Sequence, residues 1–173
     1  SAVLLTNGEV IEAESFISNI HPEATINIVK SPLMRKLYKE RIRSLENSIS
    51  NFTVYIKFKE NTIPYLNHNY YYYTNEDVWQ TNNYTKTNYP LNYLYMHQCH
   101  ELNPKYAQSA ELIAYMKYDD VKKWQNTKVG NRGDDYKAFK EETAQKLLDK
   151  LQISFPGIKA NIESYETSSP LTY

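Results

Sequence analysis

The clearest pattern along the chain is the alternation at residues 51–60, NFTVYIKFKE. Phe52, Val54, Ile56 and Phe58 fall on one side, and Thr53, Tyr55, Lys57 and Lys59 on the other. A period of two predicts a half-buried strand with one wetter face. A second signal has helical spacing. Leu33, Met34, Leu37, Tyr38, Ile42, Leu45 and Ile49 recur every three to four positions with Arg35, Lys36, Lys39, Glu40, Arg41 and Arg43 between them. This predicts an amphipathic helix with one basic face, capped by Ser31 with Pro32 at its first position. A third stripe, Tyr136, Phe139, Ala144, Leu147, Leu148 and Leu151, predicts a helix from Asp134 to about residue 153, stopped by Phe155-Pro156-Gly157.

Weaker signals fill in the rest. Thr6-Asn7-Gly8-Glu9 reads as a tight hairpin turn, because Asn and Gly tolerate positive φ. The strand after it, residues 10–20, is too long for a small hairpin partner, so its second half should pair elsewhere. His21-Pro22 opens a short helix over residues 21–29. Further strands are expected at 68–73, 91–100, 110–118 and 158–165, a short helix at 119–125, a surface loop at 81–90 and a flexible loop at 129–135. The sum is an α+β fold: a mainly antiparallel sheet of about five to six strands with two long helices packed on one face.

Composition narrows the function. With 173 residues the chain can bury a core of its own. Its 20 basic and 20 acidic residues cancel, which argues against nucleic acid as partner. The single cysteine, Cys99, excludes an internal disulfide and fits a reducing compartment. No apolar run approaches the roughly 18 residues that span a bilayer. Four dispersed glycines leave no phosphate-cradling loop. His97 and His100 flank Cys99, but along a strand these side chains do not converge as a metal site requires. No serine sits in a nucleophile elbow, and Cys99 reads as a small buried hydrophobe. Two glycosylation sequons, at Asn51 and Asn83, are expected by chance in an Asn-rich chain. The outlier is tyrosine, 17 in all and dense between residues 65 and 95. These tyrosines suit either a half-buried sheet or an aromatic wall for a ligand.

Several segments together resemble one family. NGEVIEAESFISNIHPEAT is similar to a hairpin and strand ending in an ISN-x-x-P element. SPLMRKLYKERIRSLENSISNFTVYIKFKE looks like the helix and sheet strand that follow, and LNHNYYYY like a His-containing strand. YKAFKEETAQKLLDKLQISFPGIKANIESYETSSPLTY resembles a last helix, its FPG stop and a closing strand. In this order they resemble the substrate-binding part of the phytoene desaturase and retinol saturase family of flavin-dependent oxidoreductases.

The resemblance implies that residues 1–173 are a single substrate-binding domain excised from a larger two-domain flavoprotein. The parent would hold FAD, with NAD(P) as electron partner, on a domain absent here. It would act on carbon–carbon bonds of an apolar isoprenoid, carotenoid or retinoid-like substrate. This chain alone would be inactive and bind no cofactor. Asn19 matches the place where the family's chain returns to the flavin. His68, Tyr70, Tyr72, Met96 and Tyr115 are the candidates for the substrate wall. The family prefers aliphatics where this chain has tyrosines, which points to a substrate more polar than a carotene. The parent would be cytoplasmic and membrane-peripheral, with Lys36, Lys39 and Arg43 at the lipid surface. The isolated chain would dimerise through the face its cofactor domain normally covers. The alternative is a stand-alone aromatic-rich module that binds glycans by ring stacking.

Overall fold

The structure is a computed structural model that describes residues 1–45 and 49–172. It forms two compact units, residues 1–47 and 48–173.

In the first unit, β1 (Ala2–Leu4) and β2 (Val10–Glu12) form the hairpin, with Leu4 opposite Val10 and Ala2 opposite Glu12. Gly8 takes φ +87°, Asn7 Oδ1 accepts from the Glu9 amide at 3.0 Å, and the Leu5 amide donates to the Glu9 carbonyl at 2.8 Å. The long strand expected over residues 10–20 stops at Glu12. Its partner β1 has three residues, the last pair is Ala2 with Glu12, and the Ala13 amide adds one bond to the Ser1 carbonyl at 3.1 Å. Helix α1 (Pro22–Ile28) follows with His21 as its cap, the imidazole Nδ1 accepting from the Glu23 amide.

The expected long basic helix is shorter than its stripe. Ser31 closes a separate turn, its hydroxyl accepting from the Leu33 amide and its carbonyl from the Met34 amide. The chain leaves that turn extended at Arg35, so helix α2 runs only from Lys36 to Arg43. Its predicted end at Ile49 lies beyond residues 46–48, which are outside the described residues. Side-chain burial would have to extend the helix, and α2 has no buried residue. Among the described residues of this unit, Ile26 alone is buried.

The second unit is a five-stranded antiparallel sheet. Its strands are β3 (Ser50–Phe58), β4 (Tyr70–Tyr73), β5 (Asn92–His100), β6 (Asn103–Met116) and β7 (Ile162–Ser168), in the order β4-β5-β6-β3-β7. Both β6 and β7 run antiparallel to β3, so they are parallel to each other. Helix α3 (Asp134–Ser154) bridges them as a crossover. One long helix thus packs on this unit's sheet, where two were expected.

Two strand boundaries move. β6 begins seven residues before its apolar alternation, because His100 and Cys99 of β5 pair with Asn103 and Ala107 and residues 63–65 supply further backbone partners. The Tyr65 amide donates to Lys105 and the Ala107 amide to Ile63. β7 begins later than expected, because the chain is still turning at Lys159–Asn161 after Gly157 takes φ +86°. The cap of α3 is Gly133 rather than Asp134.

Cross-strand register propagates the alternation of β3 through the sheet. Phe52, Val54 and Ile56 sit opposite Ala114, Leu112 and Ala110. Tyr95 is opposite Leu112 and Tyr70 is opposite Tyr95. These residues, with Leu147, Leu148 and Leu151 of α3, form one buried core. Among the described residues, no helix is long and apolar enough to cross a membrane.

Leu147 is fully buried, whereas Leu37 of α2 is 77 % exposed. Leu147→Ala should therefore lower stability by about 2–5 kcal/mol in urea denaturation. Leu37→Ala should change it by less than about 0.5 kcal/mol, despite its place in an equally regular stripe.

Candidate functional site

The sheet's second face, opposite α3, is built by the odd-numbered positions of β3, β4, β6 and the even-numbered ones of β5. One row across it reads Tyr71, Leu94, Ile113, Thr53, Ser168. The next reads Met96, Glu111, Tyr55, Glu166. Tyr55, Tyr71, Tyr73 and Tyr115 are each 38–57 % exposed on it, so their rings reach solvent although they stand on strands. The face is graded. Toward β4 and β5 it is aromatic and aliphatic; toward β7 it carries the exposed Ser164 and Glu166, while Thr53 and Ser168 in the first row are buried. Polar side chains bond laterally: Gln98 donates to Glu111 at 3.1 Å, and the Tyr55 and Ser168 hydroxyls meet at 3.3 Å.

The residues singled out from sequence divide between the two faces. Met96 and Tyr115 lie on the open face. Tyr70 and Tyr72 point the other way into the core. Tyr72 stacks on Tyr93 at 4.9 Å and 12°, and Tyr70 meets the Phe155 ring edge-on at 5.0 Å. These four therefore do not form one wall. His68 is exposed in a bend before β4, and Asn19 is exposed in the extended segment ahead of α1. Strand alternation alone groups Tyr71 with Tyr73, but only register ties them to Leu94, Ile113 and Tyr115. That is why a single-sequence reading leaves this set unassembled.

On the α3 side, a cleft of about 440 Å³ lies between the 62–66 segment and the Phe155-Pro156-Gly157 turn. His97 stands in its wall. Its Nδ1 accepts from the Leu66 amide at 3.1 Å, which leaves the Nε2 hydrogen for the Tyr95 hydroxyl. Phe58, Tyr65 and Tyr95 surround the ring. Burial lowers its pKa to about 4; the nearby His68 pushes the same way, and a backbone hydrogen bond with Pro64 opposes them. The imidazole is neutral with both nitrogens engaged, so it fastens a loop and is not poised to take a proton from a ligand. Burial also raises the Tyr95 hydroxyl, with the neighbouring Tyr93 adding to the shift.

Cys99 is half-buried next to a register shift that interrupts the strand alternation beyond Gln98. Among the described residues, no three His, Cys, Asp or Glu side chains gather where a metal ion would sit. The one long helix begins after glycine, at Gly133, but its first turn carries Asp134 and Asp135. These carboxylates oppose the helix-end field that would attract a pyrophosphate. No protein-family model matches the chain, and no curated protein or solved structure matches it.

The unfolded chain takes up the His97 proton near pH 6.5 and the folded chain near pH 4. Stability should therefore fall as pH drops through this window and show no further change from this group below it. The contribution is on the order of 1–2 kcal/mol once solvent screening is discounted. His97→Gln keeps an acceptor for the Leu66 amide and removes the titration. Urea midpoints measured from neutral pH downward should then lose that slope; an unchanged slope assigns it to other groups.

Proposed function

We propose that this chain is the substrate-binding domain of an FAD-dependent oxidoreductase. The parent acts on carbon–carbon bonds of an apolar isoprenoid, carotenoid or retinoid-like compound. The observation that carries this reading, together with the family resemblance, is the open sheet face. A broad surface of Tyr71, Leu94, Met96, Ile113 and Tyr115 suits a long molecule with few polar handles, which shape and apolar contact must hold. Its polar margin toward β7 suits a substrate more polar than a pure hydrocarbon.

The flavin belongs on a separate domain. This chain's acidic helix start and scattered glycines do not fit its pyrophosphate, and no step through it is assigned to these residues. When bound in the parent, the flavin supplies the hydride chemistry, with NAD(P) as electron partner. The role left to this chain is to orient the substrate and exclude water. Asn19 is the residue placed nearest the flavin by the resemblance. The first unit supports a covering partner, since Phe16, Ile17, Ile28, Leu33 and Leu37 are all exposed. The parent's own FAD domain is the partner proposed. In the isolated chain the same surface would drive dimerisation. We place the parent in the cytoplasm at a membrane surface, with the basic residues Lys36, Lys39 and Arg43 toward lipid.

Glycan binding would rest on Tyr71 and Tyr73. Most of the other tyrosines between residues 65 and 95 direct their rings into the core. It is the weaker reading.

The parent protein, purified from its gene, should show the visible absorption of bound flavin, while the 173-residue chain is colourless. Met96→Arg or Ile113→Arg in the parent should lower turnover of an apolar polyene by at least about tenfold with flavin retained. A folded parent with no flavin and no affinity for it would sink the proposal. Glycan binding lost on Tyr71→Ala would replace it.

A further inference from the structure

A second concave site lies elsewhere in the fold, on the α3 side near the end of β6. The segment at residues 81–90 reads from sequence as a surface loop, yet Thr81, Tyr84 and Pro90 are buried. Local bonds fold it inward. The Asn88 carboxamide accepts from the Thr85 amide at 2.6 Å, and the Tyr89 amide donates to the Thr85 carbonyl at 3.1 Å. Tyr84 and Tyr89 then meet edge to face at 4.9 Å. Across from them, Trp124 packs against Phe139 of α3 at 5.1 Å, its indole N–H fixed by Asp135 at 2.8 Å. Between these rings lies a cleft of about 390 Å³, with Met116 also in its lining. That volume is in the usual range for small-molecule pockets.

Buried tyrosine hydroxyls in this unit are bonded as a rule. Tyr93 donates to Ser154 at 2.7 Å, Tyr136 meets Ser169 at 2.7 Å, and Tyr84 donates to Asp120 while accepting from the Lys117 amide. Tyr89 is the exception. Its hydroxyl is buried and has no hydrogen-bond partner among the described residues. Such a group is costly unless something completes it. Burial raises its pKa, with Tyr84 and Asp120 adding to the shift, so it is held as a donor.

The charges around the cleft select the ligand. Lys86, Lys123 and Lys146 face Asp120, Asp135 and Glu142, three against three. Lys123 pairs with Asp135 at 3.3 Å and Lys146 with Glu142 at 2.7 Å. A ligand of either net charge would have to break such a balance, whereas a neutral one would not. Lys123 already lies 4.0 Å from the Trp124 ring centre and Lys117 4.8 Å from that of Tyr84, so cations of the chain itself occupy faces a cationic ligand would need. We propose that the cleft between Tyr84, Tyr89, Trp124 and Phe139 binds a small, neutral, planar ring compound whose acceptor atom takes the Tyr89 hydroxyl hydrogen. The site is independent of the open sheet face and of the reading built on that face.

Titrating ¹⁵N-labelled protein with benzamide tests this. The chain has two tryptophans, and Trp79, 86 % exposed, supplies a reference indole signal. Benzamide should shift the Trp124 indole signal saturably. Cyclohexanecarboxamide (same amide, non-planar ring), benzoate and benzamidine should each bind at least about fivefold more weakly. Tyr89→Phe should weaken benzamide about five- to tenfold while leaving the melting temperature equal or higher, since the hydroxyl it removes is unpartnered. Absence of a saturable Trp124 shift overturns the proposal. So do tighter binding of either charged probe, unchanged affinity in Tyr89→Phe, or a clear loss of stability in that variant.

Discussion

The crossover from β6 through α3 to β7 is the constraint on which the second unit depends. β3 lies between two strands that run parallel to each other, and the connection joining them must pass over it. A 21-residue helix makes that passage, and it covers only one face of the sheet. The residues that alternate toward it become the core; of those that alternate away, Tyr55, Tyr71, Tyr73 and Tyr115 are exposed while Thr53 and Ser168 are buried. Phe52, Val54 and Ile56 are buried because α3 is on their side, and Tyr55 is exposed because it is not.

Tyrosine suits such a fold for a specific reason. A tyrosine on the helix side of the sheet packs its ring under the helix and still reaches a partner at the helix margin with its hydroxyl. Tyr93 reaches Ser154 at the end of α3, and Tyr165 reaches Glu141 at 2.6 Å while accepting from Gln145 at 2.8 Å. The same residue type on the opposite side becomes an aromatic surface. The run Tyr70 to Tyr73 contains both cases in four residues. Tyr70 and Tyr72 add the edge strand to the core, while Tyr71 and Tyr73 face outward.

The two units differ in how they are stabilised. The second has a continuous core and its buried polar atoms are nearly all bonded. The first is held by local devices: a glycine turn, an imidazole cap and the Arg43 guanidinium bonded to Asn27 at 2.7 Å. Local bonds of this kind fix short elements but bury little apolar area, and so leave Leu33 and Leu37 in solvent. An amphipathic stripe states that a face wants cover without stating what covers it. The stripe of α3 meets a sheet; that of α2 buries no side chain.

The sequence by itself determined what short-range physics controls. Alternation on β3, the stripe of α3, the Phe155-Pro156-Gly157 stop, the Asn7-Gly8 turn and the His21-Pro22 helix start are all local, and each is where the residues place it. Only the tertiary structure decided how far an element runs and what shares its face. β2 runs to Glu12 because Glu12 pairs with Ala2 of β1, and β6 starts at Asn103 because Asn103 pairs with His100 of β5, while residues 63–65 also bond it at 105–107. Met96 and Tyr115 join Tyr71 through hydrogen-bonded register, and Tyr84, Tyr89 and Trp124 meet through a loop whose polar sequence disguises its burial. Both candidate sites are made of residues far apart in the chain. Periodicity can orient each side chain relative to its own neighbours, but only pairing between strands and packing between layers can bring them together.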